Sequence, residues 1–220
     1  MNKLIVYDLD GTLIDSRHDI SDAVNWTLKE LGFSCLPGDR VSAFVGSGVK
    51  NLMEQALKEV CPSGGKLPLE RAIKLFRRRY SEHLLDQTCL YPSVQKVLEF
   101  FKARLQAVIT NKPENFSLTI LKGLGVSHYF FEVVGGDRGL PKKPAPDALI
   151  EILKQANVEP HESILVGDSA IDIETGRSAH VKTIAVTYGF SKREKIENSK
   201  PDFILNDLEE LITCPLLQNP

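Results

Sequence analysis

Asp8 and Asp10 stand two residues apart in VYDLDGTLIDS (residues 6–16), where an apolar run gives way to carboxylates and Asp15 soon follows. Three more places pair an apolar run with side chains able to bind or react. Thr110 and Asn111 follow LQAVI (105–109). Lys142 and Lys143 lie in the loop GGDRGLPKKPAPD (135–147). Asp168 and Asp172 lie in GDSAID (167–172), directly after ILV (164–166). Two carboxylates about 4 Å apart repel by roughly 4 kcal/mol at an effective dielectric near 20. Several such pairs would rival a domain's whole stability of about 5–15 kcal/mol. A gathered set must therefore be protonated, separated by water or neutralised by a cation. Hard divalent ions take oxygen ligands, and Mg²⁺ commonly keeps waters and phosphate oxygens beside one or two carboxylates. Asp8, Asp168 and a backbone carbonyl near Asp10 are the expected donors of such an open site.

For those residues to meet, their apolar runs must be parallel strands of one sheet. KLIVY (3–7), LQAVI (105–109), FEVV (131–134), ILV (164–166), TIAV (183–186) and FIL (203–205) read as strands. The leading run is continuous rather than alternating, which marks a strand buried on both faces. Between strands, Val94, Val97, Leu98 and Phe101 share one helical face, as do Leu149, Ile152, Leu153 and Ala156. Alternating strands and helices predict an α/β fold with a Rossmann-like parallel sheet flanked by helices. Ligands of such sheets sit outside the carboxyl ends of the strands, where the residues named above fall.

Residues 15–89 break the alternation. Ile20, Ala23, Val24, Leu28 and Leu31 form one apolar stripe, and Val49, Leu52, Met53, Ala56, Leu57 and Val60 a second. A third helix is expected over 69–85, with a loop at Pro-Ser-Gly-Gly (62–65). The expected organisation is a core of 1–14 and 90–220 interrupted by an all-helical cap domain of 15–89. Hinges are expected at 14–17 and 89–92, with Asp15-Ser16 capping the first cap helix. Gly46, Ser47 and Gly48 precede the strongest cap helix, so free N–H groups there, assisted by Lys50, are candidates to hold an anionic end of a substrate.

The 220 residues are 42% hydrophobic and 25% charged, with a formal net charge of −2. That balance argues against nucleic acid as a partner, since phosphate neutralisation needs clustered Lys and Arg. The basic run FRRRY (76–80) reads as a solvated helix face. No stretch has the length of a transmembrane helix. Four cysteines without CxxC spacing or nearby histidines read as free thiols, and no signal peptide is expected, which points to a cytoplasmic protein.

DLDGT (8–12), TNK (110–112), KPAPD (143–147) and GDSAID (167–172) resemble, in order and spacing, the four motifs of the haloacid dehalogenase-like superfamily. The likeness spans nearly the whole chain, and the helical insertion is similar to that family's small cap. Within the family it is greatest to the phosphoglycolate phosphatases, through VGSGVKNLMEQAL (45–57), GDRGLPKKPAPDAL (136–149) and GDSAIDIETGRSA (167–179). The resemblance implies a Mg²⁺-dependent phosphatase acting on a small phosphorylated metabolite, with 2-phosphoglycolate as the best single substrate. It implies Asp8 as the nucleophile that becomes an aspartyl phosphate, and Asp10 as general acid and then base. It further implies Thr110, Asn111 and Lys143 as phosphate-binding residues, Asp8, Asp10 and Asp168 as metal ligands, and Asp172 as a residue orienting the metal from behind. True dehalogenases look different at the position of Asp10, because a halide leaves without a proton. Pyrophosphatases, sugar-phosphate phosphatases and phosphomutases share these motifs and stand as alternatives, as does a phosphate-binding regulatory protein without turnover.

Overall fold

The computed structural model describes residues 3–61 and 67–218, so the Pro-Ser-Gly-Gly loop lies outside the described residues. Six strands make one sheet: β1 (Leu4–Tyr7), β4 (Leu105–Ile109), β5 (Glu132–Val134), β6 (Ser163–Gly167), β7 (Lys182–Val186) and β8 (Phe203–Leu205). Their order is β5-β4-β1-β6-β7-β8, and every pairing is parallel. Two further strands, β2 (Ile14–Asp15) and β3 (Cys89–Leu90), pair antiparallel as a separate short ribbon.

The continuous apolar runs of the sequence have a direct structural reason. Side chains alternate between the two faces of the sheet, and both faces are covered. Ile5, Tyr7, Val108, Val133, Ile164 and Val166 belong to one buried cluster, into which α5 (Val94–Phe100) and α6 (Glu114–Gly123) pack. Leu4, Val6, Ala107, Ile109, Val134 and Leu165 belong to the other, against Leu149, Ile152 and Leu153 of α7 (Asp147–Ala156). The helices α8 (Ala170–Ser178), α9 (Arg193–Ser199) and α10 (Pro215–Gln218) complete the flanks. The chain departs to either side of β1, with β4 on one edge and β6 on the other, so a crevice opens at the carboxyl end of β1.

Between β2 and β3 lie α1 (Arg17–Glu30), α2 (Gly38–Ser42), α3 (Val49–Val60) and α4 (Leu69–Glu82). The stripe on α3 is buried at Val49, Leu52, Met53, Ala56 and Leu57. These helices share one continuous buried cluster with Leu13, Ile14 and Tyr91 at the ribbon and with the sheet beyond. The expected division at 14/15 and 89/90 therefore falls inside the ribbon β2–β3 rather than in free linkers.

Three local expectations are corrected. Helix α4 stops at Glu82, three residues before the expected end at Leu85: His83 leaves the helical region at φ −136° and ψ 43°, and beyond it the N–H groups of Gln87 and Thr88 go to the carboxylate of Asp19 at 2.8–3.1 Å. Ser16 holds the N-cap position of α1 but does not cap it. Its hydroxyl donates instead to Asp10 Oδ1 at 2.5 Å, and Asp15 Oδ1 accepts from the Arg17 N–H. Helix α2, five residues long, was not expected, being too short to carry a periodic signal.

Candidate active site

Asp8 lies just beyond β1, Thr110 just beyond β4, Asp168 just beyond β6, and Lys143 in the loop after β5. All line one cavity of about 60 Å³ between the sheet rim and the helical insertion, together with Asp10, Asn111, Lys112 and Asp172. Apolar side chains from the insertion, among them Ile20, Val45, Leu52 and Phe76, close the opposite side.

Two separate ion-pair systems divide the carboxylates. Lys143 Nζ donates to Asp8 Oδ1 and Asp172 Oδ1, each at 2.6 Å, and to the Ile109 carbonyl at 3.1 Å. Lys112 Nζ donates to Asp10 Oδ1 at 2.7 Å and to the Tyr80 hydroxyl at 2.7 Å. Asp172 Oδ2 takes the Ser169 N–H and hydroxyl, closing a capping box at the start of α8. The Phe190 N–H donates to Asp168 Oδ2 at 2.7 Å.

Asp8, Asp168 and Asp172 each offer an oxygen, and these lie within 4.8 Å of one another, all buried. Burial pushes the Asp8 carboxyl up to about 7; Lys143 opposes the rise, and Asp172 and Asp10 add to it. Asp168 is likewise raised well above the usual carboxylate range, by burial first and then by Asp8 and Asp172. Burial would lower the Lys143 ammonium, but Asp172 and Asp8 outweigh it and hold the group above its ordinary value. Four carboxylates meet two ammonium groups in the cavity wall, leaving two formal negative charges. An all-oxygen donor set with that deficit fits a hard divalent cation such as Mg²⁺.

Glycines make the crowding attainable. A Cβ on Gly11, whose φ is +90°, would lie 2.4 Å from Asp168 Oδ2. One on Gly167 would lie 2.3 Å from the Asp172 side chain, and one on Gly189 2.3 Å from Asp168 Cβ.

The structure brings Asp8, Asp10, Thr110, Lys143, Asp168 and Asp172 together and revises other expectations. Asp10 Oδ1 accepts from Lys112 and Ser16, and the Asp10 carboxylate stands outside the three-carboxylate group, in keeping with an expected contribution by a main-chain carbonyl there rather than by the side chain. The Asn111 side chain is also committed: Oδ1 accepts from the Lys143 N–H, and Nδ2 donates to the carbonyls of Lys143 and Gly46. It ties loop to loop. Gly46 and Gly48 line the cavity, whereas Ser47 and Lys50 are exposed and absent from its wall. Gly48, not Ser47, is the N-cap of α3.

Sequence reasoning missed Lys112, Tyr80 and Ser16. Lys112 stood inside the quoted TNK, and its signal was its neighbour Thr110. Tyr80 closed the run read as a solvated face, although its place four residues after Phe76 on one stripe marked it as inward-facing.

Comparison with known proteins agrees with this geometry. A family model described as haloacid dehalogenase-like hydrolase matches residues 5–186. A phosphoglycolate phosphatase of Aquifex aeolicus (strain VF5) is 37% identical over 96% of this chain and 95% of its own length. One of Pasteurella multocida (strain Pm70) is 34% identical over 96% and 97%. The crystal structure of a predicted phosphoglycolate phosphatase from Haemophilus somnus 129pt superposes with a TM-score of 0.89 at 33% identity, covering 96% of each chain. Sheet order, motif placement and these likenesses converge: the chain belongs to the haloacid dehalogenase-like hydrolase family.

Proposed function

We propose that the protein is a Mg²⁺-dependent phosphatase of small phosphomonoesters, with 2-phosphoglycolate as its substrate and glycolate and inorganic phosphate as its products. One observation carries the reading: two aspartates of the same cavity are held by different lysines, Asp8 by Lys143 and Asp10 by Lys112, and so are set up for different tasks. Asp8 attacks phosphorus, and the ester P–O bond breaks as the aspartyl phosphate forms. Asp10 protonates the departing alkoxide, then takes a proton from the water that hydrolyses the acyl phosphate. Lys143 and the Thr110 hydroxyl bind phosphoryl oxygens. Asp8 and Asp168, with the main-chain carbonyl near Asp10, are the residues that would hold Mg²⁺, and Asp172, whose oxygens are taken by Lys143 and Ser169, would orient the site from behind. When bound, the ion offsets phosphoryl negative charge and orients the ester.

The helical segment 15–89 serves as a cap over this chemistry, excluding water and contacting the organic part of the substrate. The small cavity, about 60 Å³, supports a small substrate. In this reading the carboxylate of 2-phosphoglycolate lies against the start of α3, where Gly48 and Val49 line the wall and first-turn N–H groups lack helical partners. The names of the relatives support the same substrate.

The test is a panel of phosphomonoesters, sugar bisphosphates and pyrophosphate, assayed with and without Mg²⁺ and ranked by kcat/KM. The reading expects 2-phosphoglycolate at the head of the ranking, loss of turnover on chelation, and no turnover by Asp8→Asn with the fold retained. Ordinary activity in Asp8→Asn rules it out. Isomerised sugar phosphate in place of free phosphate would transfer the assignment to a phosphomutase.

A further inference from the structure

Asp10 Oδ1 accepts two hydrogen bonds, from Lys112 Nζ at 2.7 Å and Ser16 Oγ at 2.5 Å, while Oδ2 has no partner among the described residues. The carboxyl is thus gripped by one oxygen on the cavity wall. Lys112, 6% exposed, has in turn one further side-chain partner, the Tyr80 hydroxyl at 2.7 Å, and its ammonium sits 4.8 Å from the Tyr80 ring centroid. Tyr80, 2% exposed, arrives from α4 of the helical insertion. Its ring stacks on Phe76 at 5.4 Å and meets Phe116 of α6 edge-on at 5.7 Å. Ring and hydroxyl therefore have separable duties: the ring packs the insertion against the core, while the hydroxyl faces a single ammonium group.

We propose that Tyr80 is a positioning residue, whose hydroxyl, reaching across from the helical insertion, fixes Lys112 so that Lys112 fixes Asp10. A buried ammonium needs its full set of acceptors, and a lysine stem carries four rotatable bonds. With the phenolic oxygen in place, Nζ has two anchors, one on the core and one on the insertion, and one position. Without it, the ammonium has only Asp10, and the pair can drift as a unit. Misplacement of a catalytic group by about 1 Å costs up to ~10²-fold in rate. The proposal rests on Asp10 acting as the acid toward the leaving group.

The experiment uses the full chain with Mg²⁺ and two esters, 2-phosphoglycolate and p-nitrophenyl phosphate, followed by rapid mixing in the step that forms the phosphoenzyme. An alkoxide needs a proton to leave and nitrophenolate does not. Tyr80→Phe keeps the ring stack and removes only the hydroxyl. The expected result is a ~10–100-fold slower phosphorylation by 2-phosphoglycolate, with little change for p-nitrophenyl phosphate and KM within about twofold. The double variant Tyr80→Phe/Lys112→Met is expected to be no slower than Lys112→Met alone, since the tyrosine acts only through the lysine. Equal slowing on both esters, additive losses in the double variant, or wild-type rates in Tyr80→Phe would each overturn the proposal. Asp10→Asn separates this failure from that of the underlying reading: if it slows 2-phosphoglycolate while Tyr80→Phe does not, only the role of Tyr80 falls. If Asp10→Asn leaves both esters unaffected, the acid role and this proposal fall together.

Discussion

Asp168 is held less by bonds than by the absence of side chains around it. Gly11 and Gly189 flank it, and Cβ atoms there would lie 2.4 Å from its Oδ2 and 2.3 Å from its Cβ. Gly189 has no unusual backbone angle that would itself forbid a side chain, so Gly189→Ala tests crowding, against Asp168 and against the Gly11 carbonyl 2.5 Å from the added Cβ. The variant is expected to fold, to displace Asp168 and to weaken Mg²⁺ binding about 10–100-fold, the range seen when supporting contacts of a metal site are lost. Calorimetric titration with Mg²⁺ reads this directly, and unchanged affinity would show that Asp168 has room to give. Asp8, Asp10, Thr110, Lys143 and Asp168 were legible because each follows a recognisable apolar run or a specific motif. Gly189 was not, since its meaning lies in a contact 21 residues back along the chain. Tyr80 and Lys112 were hidden for a related reason: the spacing from Phe76 turns Tyr80 inward, but its partner lies on a loop that no local pattern places beside it.

The elements that carry these residues depend on how the chain leaves and re-enters the sheet. Asp19, 2% exposed in the first turn of α1, accepts from the N–H groups of Gln87 and Thr88 and from the Thr88 hydroxyl. It thereby holds the returning segment against the start of α1 just before β3 begins. Removing it orphans two backbone donors and a hydroxyl, each worth about 1–3 kcal/mol when buried without a partner. Partial hydration of the gap reduces the total, and Asp19→Ala is expected to lower unfolding free energy by about 2–4 kcal/mol in urea titration. Asp19→Asn, which keeps one carbonyl acceptor, is expected to lose less. A change below about 0.5 kcal/mol, the size of an ordinary surface effect, would mean the clasp is dispensable. Strong periodicity made α3 and the long strands readable from sequence. Strands β2 and β3, two residues each, and the clasp at Asp19 had no local pattern, because pairings 74 and 76 residues apart and bonds 68–69 residues apart define them.

At the scale of the whole molecule, the gathered carboxylates make stability a function of pH and of metal together. Asp8, near 3.8 in an unfolded chain, is raised to about 7 in the folded protein, and Asp168 is raised as well. A carboxyl whose folded value is raised favours folding below its unfolded value. That contribution is lost as pH rises through the folded one, since the native state must then hold a charge that burial opposes. Without metal, stability from these two groups therefore declines from about pH 4 to about pH 7 and beyond. On the proposed function, bound Mg²⁺ would reverse the cause, because its ligands bind it deprotonated and anything binding only the folded state stabilises by mass action. Thermal unfolding followed from pH 5 to pH 8, with chelator and with saturating Mg²⁺, should give two Tm curves that diverge as pH rises. Loading should also release protons, measurable in weakly buffered solution near neutrality. Parallel curves would mean that the carboxylates at the sheet rim are neutralised by Lys112 and Lys143 alone, and the charge deficit that makes this a divalent-cation site would not exist. The gathering of carboxylates was legible in the sequence as a repulsion that something had to relieve; the pH at which they charge was not, because that follows from burial beneath the helical insertion.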